Sequence, residues 1–319
     1  MNRYLLEEDR YCQEMAERVE PALSRARVTR FLRTPDGKTL HAEFYRAERP
    51  RAGVVIVHGF TETTEKYREL VWYFLNQNLS VYLYDGRGHG RSSRETENSA
   101  VVHIDDFSTY VRDLHQVVRD VALPENGGRP LFLFAHSMGG AVAALYLEQH
   151  PGSFVRAALS SPMIRPRTYV PESIARAVAD RMVRRGRGED MIFIFRDDSE
   201  EKEFEQSACD SRGRFDYYAE KRRKNPRLRT SGGSWAWLAA ALRASDELIR
   251  PENAAKICIP VLLLQAGRDQ YVSTAAQEKF VKRLPDGRIV RYPKAKHELY
   301  RAENALLADY MEKLLGFFA

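Results

Sequence analysis

An α/β protein, with a mostly parallel central sheet and helices on both faces, is what this 319-residue chain predicts. Two observations carry that expectation. Short apolar runs bounded by glycine or turn residues, the mark of strands buried on both faces, alternate with stretches of helical periodicity. Such alternation implies right-handed crossovers between parallel strands of one sheet. A third observation qualifies it: residues 163–250 lose the rhythm, and an interval this long between two strands is too large for an ordinary loop.

The elements follow in order. MNRYLLEEDRYCQEM at the start carries acids where a leader would need an unbroken apolar stretch, so residues 1–25 read as a helical arm. RVTRFLR (27–33) and TLHAEFYR (39–46) flank TPDGK, whose Asp-Gly pair predicts a β-hairpin. GVVIVHG (53–59), SVYLYD (80–85), PLFLFAH (130–136) and VRAALSSP (155–162) read as strands, with helices over about 65–76, 105–121 and 138–150 between them. After the irregular interval the alternation resumes with IPVLLLQAG (259–267), a helix over about 274–284, RIVRYP (288–293) and a last helix over 303–318. The core is therefore expected to comprise 1–162 and 251–319, with 163–250 as a helical cap inserted between them.

Composition narrows the function. At 44% apolar and 29% charged residues the chain is globular in type, and no run of about 18 apolar residues is present to span a bilayer. Three scattered cysteines, Cys12, Cys209 and Cys258, form neither a paired framework nor a zinc signature, which points to a reducing, cytoplasmic location. The net charge of +6 is a small excess over 44 acidic groups, so nucleic acid is not an expected partner.

The chemistry gathers around FAHSMGG (134–140). Ser137 follows an apolar strand and precedes a helix, the setting in which a tight turn lifts a nucleophilic Oγ above the sheet edge. Ala135 stands where the G-x-S-x-G pattern has its first glycine; one added methyl is expected to cause only slight adjustment. A serine needs a base, and the base an orienting acid, here in the chain order Ser, Asp, His. Asp269 in QAGRDQYV and His297 in YPKAKHELY lie just past two later strands, at the carboxyl edge where open α/β sheets place their sites. The strand ending in SSP offers no carboxylate; of the seven other histidines, His41 falls in the hairpin, His115 in a helix, His136 inside the elbow strand, and His58 and His89 in glycine-rich turns before Ser137. An oxyanion needs two donors: the backbone N–H of Met138 at the start of the elbow helix, and that of Phe60 in HGFTETTEKY. DGRGHGRS (85–92) lacks the lysine and the spacing of a phosphate loop and reads as a structural turn.

Taken together, HGFTETTEKY, YDGRGHGRSS, HIDDFSTYV, AHSMGGAVA, AGRDQYV and AKHELY resemble the α/β-hydrolase superfamily, and within it the monoacylglycerol lipase and bacterial lysophospholipase group. The resemblance runs from about residue 50 to the end, apart from 163–250. It implies an α/β-hydrolase fold, a Ser137–His297–Asp269 triad, an acyl-enzyme, a cap over a lipid-sized pocket, and no metal or cofactor. AHSMGG in place of GHSMGG is common among lysophospholipases of this kind, which leans the expected substrate towards lysophospholipid. The alternatives are a monoacylglycerol lipase or broad carboxylesterase and, from another class, a catalytically silent lipid- or nucleic-acid-binding module. Dehalogenase and epoxide hydrolase chemistry needs an aspartate where Ser137 stands. Residues 163–250 hold 19 Lys or Arg against 15 Asp or Glu, a surface that could draw the protein to an anionic membrane, although KRRKNPRLR (221–229) reads equally well as a solvated basic face. Oligomeric state is left open.

Overall fold

The structure is a computed structural model that describes residues 5–193 and 204–319. Among the described residues ten strands form in chain order: β1 (Arg27–Arg33), β2 (Thr39–Tyr45), β3 (Ala52–Val57), β4 (Leu79–Tyr84), β5 (Val101–Val102), β6 (Leu131–His136), β7 (Arg156–Ser160), β8 (Gly232–Gly233), β9 (Val261–Ala266) and β10 (Gly287–Tyr292). Eight of them make one sheet in the order β1-β2-β4-β3-β6-β7-β9-β10, while β5 and β8 pair separately. From β4 to β10 every neighbouring pair is parallel; the β1–β2 hairpin is antiparallel and adds on to β4. Gly37, at φ 81°, makes the hairpin turn that the Asp-Gly pair predicted.

Period-2 alternation sorts the buried strand residues into two cores. Val55, Val57, Leu133, Ala135, Leu159 and Leu263 face the helices Phe107–Val117 and Met138–Gln149, whereas Val54, Ile56, Phe132, Phe134, Leu262 and Leu264 face Arg68–Leu75 and Asn304–Phe317. Each fully buried Val, Leu or Phe among them contributes about 1.5–3 kcal/mol, so both faces must be covered for the sheet to form. The helix over 107–117 begins at Asp106, whose side chain accepts from Ser108 N–H at 2.7 Å. It runs on through a wider turn (118–122) and a final turn (123–126), and ends at Gly127 in the left-handed conformation.

Among the described residues, the interval from 163 to 250 contributes no strand to the main sheet. It holds the helices Glu172–Arg184, Arg212–Lys224 and Trp235–Leu248. Of the apolar patch MIFIF, residues 194 and 195 lie outside the described residues. Most strands and helices end within one to three residues of the sequence expectation, the glycine, proline and polar residues that flank the apolar runs falling in the turns. The predicted helix over 65–76 opens instead as a 3-10 turn, Thr64–Tyr67, before its regular part starts at Arg68.

Candidate active site

All the candidate side chains arrive at one edge because parallel strands end on the same side of the sheet. β6 ends at His136, and Ser137 makes the turn into the helix Met138–Gln149 with φ 53° and ψ −122°. That conformation is strained for a residue with a Cβ. It persists because the turn is held on every side. Ser137 N–H donates to Ser160 O on β7 (3.1 Å), and its carbonyl accepts from Gly140 N–H and Met163 N–H (both 2.8 Å). The helix sits so close to the sheet that a Cβ on Gly139 would lie 2.3 Å from Val57 O, and one on Gly140 2.5 Å from Pro162 Cβ. The close approach is thus carried by the two glycines after the serine. Ala135 is wholly buried within β6, between Val57 and Leu159, and its methyl joins one of the two cores.

His297 Nε2 lies 2.8 Å from Ser137 Oγ, and His297 Nδ1 lies 2.6 Å from Asp269 Oδ2. All three residues are buried. Burial pushes the Asp269 carboxyl up, but the His297 imidazole and the N–H groups of Tyr271 (2.8 Å) and Val272 (3.1 Å) on Oδ1 outweigh it, leaving the pKa below its ordinary value. Asp269 therefore stays an acceptor. The serine hydroxyl, the imidazole and the carboxylate form one line of hydrogen bonds, with Nδ1–H donating to the acid and Nε2 free to take the serine proton.

The loops bearing Asp269 and His297 are tied to each other and to the interval 163–250. Gly267 N–H donates to Tyr292 O and Arg268 N–H to Ala295 O. Residues 165–167 run beside the acid loop through Arg167 N–H to Tyr271 O and Ser273 N–H to Arg165 O. On the base loop, Lys296 N–H donates to Asp210 Oδ2 and Glu298 N–H to Ala208 O.

Met138 N–H is the first donor of its helix and has no acceptor within it, as at every helix start. The Phe60 loop follows β3 and lies beside the elbow, where a Cβ on Gly59 would meet Glu62 Oε2 at 2.9 Å and the His136 ring at 3.1 Å. The Phe60 ring packs against Trp237, centroids 4.2 Å apart and planes tilted by 33°, so the helix 235–248 covers this loop.

Several residues at the site carry no signal in sequence spacing. Glu62 Oε2 accepts from Gly59 N–H (2.7 Å) and Tyr67 OH (2.5 Å), while its Oε1 takes Lys66 Nζ (2.7 Å) and Tyr300 OH (3.0 Å). Lys66 Nζ also reaches Glu298 Oε1 at 2.6 Å, next to His297. Burial raises both carboxyls, and the Lys66 ammonium reverses it: Glu62 lies well below the usual range and Glu298, helped by Arg301, at about 2. The predicted structural turn, DGRGHGRS, wraps Asp85, whose oxygens take Thr64 N–H (2.7 Å), Arg91 N–H (2.9 Å) and His41 Nδ1 (3.0 Å).

Residues 48–304 match the Hydrolase_4 family, described as "Serine aminopeptidase, S33". The chain is 27% identical over 286 residues to lysophospholipase L2 of Escherichia coli, covering 86% of this chain and 82% of that protein. It is 35% identical over 130 residues to human monoglyceride lipase, 40% of this chain and 41% of that one. Its fold resembles a crystal structure of a soluble variant of monoglyceride lipase from Saccharomyces cerevisiae, with a TM-score of 0.73 at 18% identity over 91% and 93% of the two chains. No helix among the described residues is long and apolar enough to cross a membrane. With four-fifths of its length matched and the sheet order in place, the chain belongs to the Hydrolase_4 family and has the α/β-hydrolase fold.

Proposed function

We propose that this hydrolase cleaves carboxylic esters of single-chain lipids through an acyl-enzyme, with Ser137 as nucleophile, His297 as general base and acid, and Asp269 as the residue that orients the imidazole. The observation that carries the reading is the buried Ser137–His297–Asp269 line at 2.8 and 2.6 Å. Ser137 Oγ attacks the ester carbonyl as its proton passes to His297 Nε2, and Asp269 stabilises the imidazolium through Nδ1–H. The carbonyl π pair becomes an oxyanion that accepts from the N–H groups of Phe60 and Met138. The C–O bond then breaks, His297 protonates the leaving alcohol, and a water activated by the same imidazole releases the fatty acid.

The lipid substrate is supported by the names of the relatives, lysophospholipase and monoglyceride lipase. Residues 163–250 act in this reading as a cap: they cover the Phe60 loop through Trp237 and brace the base loop through Ala208 and Asp210. Tyr169, Val170 and Ile174 expose apolar surface there, on a segment that also carries the arginines of 181–187, which supports contact with an anionic membrane surface.

Ser137→Ala should abolish hydrolysis of a short p-nitrophenyl ester and labelling by a fluorophosphonate probe. Wild-type-like turnover in that variant overturns the assignment. Wild-type protein that neither labels nor hydrolyses would mark a silent binding module. Comparing lysophosphatidylcholine with monoacylglycerol at matched acyl length separates the two lipid classes, with faster turnover of the lysophospholipid expected.

A further inference from the structure

Two histidines outside the Ser137–His297–Asp269 line have both ring nitrogens committed to backbone, each with one partner next to Phe60 in the chain. His58 Nδ1 lies 2.7 Å from Gly59 O, and its Nε2 is 2.7 Å from Gly86 N. A carbonyl only accepts and an amide only donates, so His58 carries its proton on Nδ1, gives it to Gly59 O and accepts Gly86 N–H at Nε2. His89 repeats the pattern. Its Nδ1 is 3.0 Å from Arg87 O, and its Nε2 accepts Thr61 N–H at 3.2 Å. The two rings meet edge to face, 4.9 Å between centroids, and both are buried.

What they hold is the peptide group of the Phe60 donor. In a trans peptide the C=O of Gly59 and the N–H of Phe60 point in opposite directions in one plane. Anchoring Gly59 O therefore sets where Phe60 N–H points. The next residue, Thr61, stands at φ 57°, a left-handed conformation costly for a β-branched side chain, and its N–H is the group His89 accepts. One histidine fixes the peptide before Phe60, and the other fixes the one after it. His89 suits the task because burial and the adjoining His58 ring hold its pKa down to about 3, which keeps the Nε2 lone pair available.

We propose that His58 and His89 are positioning residues that preorganise the Phe60 N–H as an oxyanion donor, by fixing the Gly59–Phe60 and Phe60–Thr61 peptide planes. This rests on the reading of Phe60 as a donor. A donor aimed before the reaction begins needs no reorganisation as charge develops, so loss of the anchors falls on the transition state and leaves ground-state binding intact.

The test compares His58→Leu, His58→Asn, His89→Leu, His89→Gln and His89→Asn on a short p-nitrophenyl ester and on a trifluoromethyl ketone. Ser137 Oγ adds to the ketone carbon as its proton passes to His297 Nε2, and the carbonyl π pair becomes an oxyanion in the same hole. The leucine variants should lose roughly 10- to 100-fold in kcat, with KM within about 3-fold of wild type and ketone affinity falling by the same factor as kcat/KM. His58→Asn keeps an N–H near the Nδ1 position and His89→Gln an acceptor near Nε2, and both should recover most of the loss. If the leucine variants do not fold, the polar pair at position 89 decides: glutamine should be active and asparagine, too short to reach Thr61, should not. Folded variants with unchanged kcat, a loss confined to KM, or equal activity of His89→Gln and His89→Asn would overturn the proposal. Replacing the Phe60 amide by an ester with the α-hydroxy analogue of phenylalanine separates the two readings. A roughly 10²- to 10³-fold loss there beside wild-type-like histidine variants defeats the positioning role alone; an unchanged kcat defeats the Phe60 assignment and the proposal together.

Discussion

A methyl group on Gly139 would lie 2.3 Å from the carbonyl oxygen of Val57, and 2.5 Å from that of His58. The obstacle is backbone on both counts and cannot rotate away. Gly139→Ala is therefore expected to displace the elbow helix from β3, to cost about 1–3 kcal/mol of stability in a urea titration, and to lower kcat through the His58–Phe60 loop. Ala135→Gly removes one buried methyl and frees the strand backbone, which together should cost about 1–2 kcal/mol, with hydrolysis largely intact. The reverse ranking of the two variants would mean that the elbow's close contact has been misplaced.

Asp269 accepts three hydrogen bonds, one from His297 and two from backbone. Asp269→Asn keeps the volume but presents an amide that can donate to Nδ1, favouring the wrong imidazole tautomer. A fall in kcat of about 10⁴-fold is expected in steady-state ester hydrolysis, with the protein still folded by circular dichroism.

Lys66 bridges Glu62, which holds the Phe60 loop, to Glu298, which follows His297. Lys66→Met would strip Glu62 of its ammonium and leave Glu298 with Arg301 as its cation, a change that costs about 3–5 kcal/mol when one partner of a buried pair is removed. Without the ammonium, burial and mutual repulsion raise the carboxyl pKa values in the folded state. The folded variant then binds protons more readily than the unfolded chain near pH 5, so its stability falls as pH rises. Urea unfolding at pH 5 and pH 8 should show a smaller deficit from wild type at pH 5. Equal deficits would remove the electrostatic explanation.

Stability should decline on acidification in two stages. Burial holds His136 at about 4 and His89 at about 3 in the folded state, against 6.5 for the free group. The unfolded chain binds those protons first, so the stability of the neutral, buried rings is complete above pH 6.5 and drains as pH falls towards 4 and 3. Together they contribute a slope of at most about 2.7 kcal/mol per pH unit in that window. Below about 4.5 the depressed carboxyls of Glu298 and Asp85, both near 2, add a second loss as pH falls towards their folded values. Thermal melts between pH 7.5 and 4.5 should show a steadily falling Tm; a flat profile down to pH 5 would contradict the buried neutral histidines.

The alternation of strands and helices, the hairpin at 34–38, the elbow around Ser137 and the positions of Asp269 and His297 were legible in the sequence by itself. Each is either local, set by periodicity and turn residues over a few positions, or follows from the rule that parallel strands deliver their loops to one edge. Ala135 was legible as a tolerable departure, but where the elbow's tight contact lies was not: it belongs to Gly139 and Gly140, because packing distance between a helix and a strand is decided in three dimensions. The supports of the site were invisible for the same reason. His89 meets Thr61 because β3 and β4 are neighbours in the sheet, and Lys66 reaches Glu298 across 232 residues because the loops after β3 and β10 converge at the same edge. A buried charge or imidazole shows its role only through the groups that desolvate it and the partners that satisfy it, and those are assembled by the tertiary fold.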